Sequence, residues 1–104
     1  MTGFDERERG FEEKYAREQE QTFRLHARRD KLLGLWAAGL MGLEGEAAEA
    51  YAMTLVKADL AEPGDDDVIR QARADLAAKG IEKSEDDIRS QLQRCQGEAE
   101  AASN

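Results

Sequence analysis

The sequence predicts an all-α fold: a compact four-helix bundle preceded by a disordered or marginally helical N-terminal segment. Ala, Glu, Leu, Arg, Gln and Lys dominate the 104 residues, all strong helix formers, while the β-branched residues that strands favour are scarce. A single proline leaves few points at which a helix must break. Apolar residues recur at intervals of three, four and seven, which places them on one helical face. A chain of this length holds one domain. It divides into an interaction segment at 1–21, a bundle at 22–96 and a disordered tail at 97–104.

The N-terminal segment is highly charged, with Phe4, Phe11 and Tyr15 spaced by seven and four as one thin aromatic stripe. Asp5–Arg9 and Glu13–Arg17 are i,i+4 pairs in the favourable order. Gly10 lies between them and opposes the helix they support, by roughly 1 kcal/mol relative to alanine. Burial of three aromatics offsets less than the entropy of ordering the whole segment, so it is predicted to be disordered or partly helical when free. Two outcomes fit these residues equally. A partner's groove could order the stripe, or the stripe could extend the first helix and pack on its own bundle.

The first bundle helix is expected to begin in the twenties, with Leu25, Leu32, Trp36, Leu40 and Leu43 as its stripe, widened by Leu33 and Ala37. Gly34 and Gly39 weaken it, and a close approach by a neighbouring helix would account for both. Gly42 is placed to end it, with Leu43 folding back on the last turn. A second helix over 46–61 presents Ala48, Tyr51, Ala52, Leu55 and Val56, with Leu60 one turn on, and Pro63-Gly64 breaks it. Asp65, Asp66 and Asp67 are expected to cap and electrostatically favour a third helix faced by Ile69, Ala72 and Leu76. Lys79-Gly80 closes that helix, and Ile81 reaches back towards Leu76. Ser84 is the N-cap of the fourth helix, with Asp87 three residues on, followed by Ile88, Leu92 and Cys95. Past Gly97 nothing remains to bury, and the tail should fray. Short connections make consecutive helices antiparallel.

The net charge of −8 opposes nucleic-acid backbones. Arg24, Arg28, Arg29 and Lys31 nonetheless cluster around His26, as a solvated stripe or a patch for an acidic partner. The charge-free run at 32–43 is shorter than the roughly 18–20 residues of a membrane span. No direct membrane insertion is expected, nor does the N-terminus read as a signal peptide, which predicts a cytoplasmic protein. A lone cysteine, Cys95, at an apolar helical position reads as a small buried hydrophobe. Neither metal nor cofactor is expected, since His26 has no second soft ligand and the acidic runs lack the spacing of a calcium loop. Phosphate-cradling loops and nucleophile elbows are also absent from the pattern, so no enzyme is predicted. These observations point to a protein that works by binding another protein.

Four stretches resemble one known family: ARRDKLLGLWAAGLMG at 27–42, FDERERGFEEKYA at 4–16, VKADL at 56–60 and RADLAAKG at 73–80. Together they are similar to the zeta subunit of alphaproteobacterial F-type ATP synthases, small ATPase inhibitors with a four-helix fold. The resemblance covers nearly the whole chain. It implies a regulatory inhibitor that blocks ATP hydrolysis by inserting its N-terminal helix at a catalytic alpha/beta interface near the gamma rotor. It also implies a chain that is monomeric when free and peripheral to the inner membrane through the ATP synthase. Phe4, Asp5, Arg7, Glu8, Phe11, Glu12, Lys14, Tyr15 and Ala16 match the inhibitory motif and would contact the partner. The 32–41 block matches the bundle core and reports fold, not inhibition. Gly10 and Gly39 depart from the family pattern, which would have helix-favouring and acidic residues there. The alternative is a nucleotide-binding sensor, with Arg28, Arg29 and Lys31 approaching phosphates, or a generic helical adaptor without inhibitory activity.

Overall fold

The computed structural model describes the backbone of residues 2–61 and 64–103, and the side chains of residues 20–60 and 64–102. Four helices follow in order, α1 (Thr2–Leu40), α2 (Gly45–Ala61), α3 (Asp65–Ala78) and α4 (Glu85–Ser103), with no strand among the described residues. α1 does not begin in the twenties. The first bundle helix continues the N-terminal segment as one helix of 39 residues.

Packing follows chain order. α1 lies mainly against α2 and α4, and α3 closes the ring by touching both of them. Gly34 meets Ala52, while Arg29, earlier in α1, meets Asp59, later in α2, so these helices run antiparallel. Asp66–Arg89 and Arg73–Glu85 give the same sense for α3 and α4. The core is built from Leu33 and Ala37 of α1, Leu55 of α2, Val68, Ile69, Ala72 and Leu76 of α3, and Ile88, Leu92 and Cys95 of α4. Leu32, Trp36 and Tyr51 pack on its edge. The α1 stripe is therefore centred on Leu33 and Ala37, and Leu40, expected inside, is exposed because α1 ends beside it.

Local signals fix the helix ends. Gly42 (φ 79°) and Gly80 (φ 77°) adopt the left-handed conformation that glycine alone takes without steric cost. At each, two backbone N–H groups turn back to the helix: Leu43 to Ala38 O and Gly42 to Gly39 O, then Ile81 to Leu76 O and Gly80 to Ala77 O. Ser84 and Asp87 form a reciprocal cap, with Asp87 N–H donating to Ser84 Oγ at 3.0 Å and Ser84 N–H to Asp87 Oδ2 at 3.3 Å.

Two expectations are corrected. The cap position of α3 is Gly64, which makes no side-chain cap bond; Asp65, Asp66 and Asp67 form the first turn and act through the helix dipole. α4 also continues past Gly97 to Ser103, with Ala99 fully buried, so the tail does supply a residue to the interior.

Candidate functional site

The partner-binding residues expected from the sequence, Phe4, Asp5, Arg7, Glu8, Phe11, Glu12, Lys14, Tyr15 and Ala16, fall on α1. Their side chains lie outside the described residues. What the structure describes is the ground from which that helix emerges, the junction of α1 with the C-terminal end of α2 and the start of α3.

At this junction the basic cluster separates. Arg28 and Lys31 face outward, whereas Arg29 is only 4% exposed. Successive residues on a helix point about 100° apart, which turns one member of a basic run inward. Arg29 Nε donates to Asp30 Oδ1 at 3.1 Å, and its Nη2 lies 3.0 Å from the same oxygen. Nη1 is 3.1 Å from Asp65 Oδ1, and Asp59 Oδ2 is 3.7 Å from Nη2. Of the three cations weighed for a nucleotide contact, Arg29 is thus taken up by internal carboxylates. Only Arg28 and Lys31 are placed at the surface.

Asp30 is the buried partner that sequence reasoning missed. Its side chain is shielded from solvent, and Oδ2 has no hydrogen-bond partner. Burial pushes its carboxyl up to about 8; the neighbouring Asp59 carboxylate adds to that shift and Arg29 opposes it. A signal for this placement existed. Asp30 precedes Leu33 by three and Ala37 by seven, so the helical period puts it on the buried face.

Beside the junction lies a cavity of about 310 Å³. Asp30 and Asp59 line it together with His26, Val56, Phe23 and Leu60. Phe23 and Leu60 are half-exposed, giving the opening an apolar rim over an acidic interior. Among the described residues no group of three His, Cys, Asp or Glu side chains could hold a metal ion. No described helix is long and apolar enough to cross a membrane. Cys95 is buried in the core, and burial pushes its thiol up, away from the reactive thiolate.

The family model described as ATPase inhibitor subunit zeta matches residues 1–102. A solved structure, titled only as the solution NMR structure of a protein, is 40% identical and superposes with a TM-score of 0.67. The match covers 76% of this chain and 89% of that one. Comparison with curated proteins gave no match.

Proposed function

This chain belongs to the ATPase inhibitor subunit zeta family, and from that premise we propose that it inhibits an F-type ATP synthase by inserting the N-terminal part of α1 at a catalytic alpha/beta interface near the gamma rotor. The observation that carries the reading is the extent of the family match, which takes in the charged N-terminal segment as well as the bundle. An inhibitor-subunit family is the setting in which a chain without a recognisable catalytic group is expected to act by binding. The bundle serves as the anchor, and Phe4, Phe11 and Tyr15 with their charged neighbours make the contact. α1 runs without a break from Thr2 to Leu40, so the anchor and the contact segment share one helix, which supports this division.

The test is ATP hydrolysis by the cognate ATP synthase with the full chain and with a chain lacking residues 1–17. The full chain should suppress hydrolysis. The truncated chain should keep the helical signal of the bundle and lose most of the suppression. Equal inhibition by both would place the inhibitory contact on the bundle. Binding without inhibition by either would make the chain a helical adaptor.

A further inference from the structure

Three carboxylates from three helices converge on one guanidinium: Asp30 of α1, Asp59 of α2 and Asp65 of α3 around Arg29. With every acid ionised, the cluster would carry more negative than positive charge at a buried junction. The excess is least tolerable on Asp30. Asp59 and Asp65 reach water, with side chains 13% and 47% exposed, whereas Asp30 is 1% exposed. Two buried polar atoms of the cluster lack a hydrogen-bond partner, Asp30 Oδ2 and Arg29 Nη2, the latter held only by charge to Asp30 and Asp59. A buried carboxylate oxygen without a partner is costly, but a proton placed there turns it into a donor beside Asp59.

Among the described residues, the surroundings contain little else that could compensate. From α1, Arg29 and His26 share the junction, His26 on the cavity wall. α2 brings Asp59 and α3 brings Asp65, both acidic. α4 contributes Cys95, near enough to feel the charges of Arg29 and Asp30. One guanidinium therefore faces three carboxylates.

We propose that Asp30 is a carboxylic acid at neutral pH, that it shares its proton with Asp59, and that this proton is a latch holding α1 against α2. Burial, the main cause, and the neighbouring Asp59 carboxylate both favour the protonated form, and they outweigh the attraction of Arg29. In the unfolded chain Asp30 is an ordinary aspartate that loses its proton near 3.8, whereas the folded chain keeps it up to about 8. Between these values the folded state holds the extra proton. The latch is at full strength below 3.8, weakens as pH rises through the window and is released above about 8. Because α1 also carries the N-terminal segment, the latch makes the anchoring of that helix weaken as pH rises towards about 8. The inference concerns the scaffold and stands whether or not residues 4–16 inhibit an ATPase.

The experiment follows the side-chain carboxyl carbons of the full-length protein by NMR from pH 4 to 9. It is paired with urea unfolding of the wild type and of Asp30→Asn across the same range. Asn at 30 keeps a donor for Asp59 and cannot ionise. Asp30 should titrate near 8. The folding constant of the wild type should fall relative to Asp30→Asn by up to about tenfold per pH unit through the window and run parallel above it. If Asp30→Asn fails to fold, Asp59→Asn supplies the second reading: Asp30 should then titrate at lower pH, having lost a like charge. A midpoint for Asp30 in the ordinary aspartate range overturns the proposal. So does parallel stability of wild type and Asp30→Asn throughout, or an Asp30 midpoint that Asp59→Asn leaves in place.

Discussion

Gly34 of α1 lies so close to Ala52 of α2 that a Cβ at position 34 would sit 2.5 Å from Ala52 Cα and 2.8 Å from its Cβ. Neither neighbour can rotate away, because one is backbone and the other the single methyl of alanine. Gly34→Ala must therefore push the two helices apart. The gain in helix propensity, about 1 kcal/mol, is offset by overpacking of roughly 1–3 kcal/mol and by the loss of contacts along the seam. At Gly39 nothing lies within 4 Å of the same added atom. Gly39→Ala should accordingly stabilise the protein by about 0.5–1 kcal/mol. Urea midpoints of the two variants check the contrast, and equal stabilisation by both would remove the close-approach explanation.

This pair also marks what the sequence could and could not express. Ser84, Gly42 and Gly80 were legible because caps and glycine-ended helices are settled by residues a few positions apart. The same composition argument gave Gly34 and Gly39 one explanation, and only Gly34 has it, since helix contact depends on which face meets the partner. Arg29 and Asp30 were hidden for a related reason. Read as part of a basic run, Arg29 belongs with Arg28 and Lys31; folded, it is separated from them by the direction its position points. The acids that receive it, Asp59 and Asp65, lie 30 and 36 residues further along the chain. Of the N-terminal contact segment, the sequence supplied the aromatic spacing and the family resemblance, while its contacts depend on a partner that no local pattern encodes.

Tyr51 and Asp75 make the polar tie between α2 and α3, with Tyr51 Oη donating to Asp75 Oδ2 at 2.9 Å. Burial, and then the hydrogen bond to Asp75, raise the phenol above its ordinary range. Tyr51→Phe leaves Asp75 with Gln71 Nε2, 3.0 Å from both carboxylate oxygens. The loss should therefore be near the lower end for a bond to a charged acceptor, about 1–2 kcal/mol in urea unfolding. Asp75→Asn should cost a similar amount and bring the Tyr51 phenol down towards its ordinary value in a spectrophotometric pH titration. An unchanged phenol in that variant would show that burial alone raises it.

Cys95 is 2% exposed, and burial is the main reason its thiol is raised. Alkylation needs the thiolate and physical access, and the folded protein denies both. At pH 8 the native protein should react with iodoacetamide at least about a hundredfold more slowly than the urea-unfolded chain, the ratio set by an opening of roughly 3 kcal/mol. Raising the pH from 7 to 8 should speed the unfolded chain strongly. The native protein should gain by the same factor, because it reacts only through openings in which the thiol ionises as in the unfolded chain. The ratio of the two rates should therefore stay nearly constant. Comparable rates in the two states would mean that α4 does not hold Cys95 in the core.

The C-terminal tail provides the sharpest division between composition and packing. Glu98, Ala99, Glu100, Ala101 and Ala102 offer only alanines as apolar residues, too little surface to predict an ordered helix, yet Ala99 is completely buried. An alanine suffices where another helix comes close, because a small side chain lets backbones approach and still excludes water. Ala99→Asp places a carboxylate in that contact. The chain must then bury the charge or peel the last turns of α4 off the bundle, and either outcome should cost about 2 kcal/mol or more. Ala101→Asp changes the charge equally at an exposed position two residues away and should stay within about 0.5 kcal/mol of wild type. Urea unfolding separates local charge repulsion, which would lower both variants alike, from packing, which would lower only Ala99→Asp. If only Ala99→Asp falls, the last turns of α4 belong to the bundle.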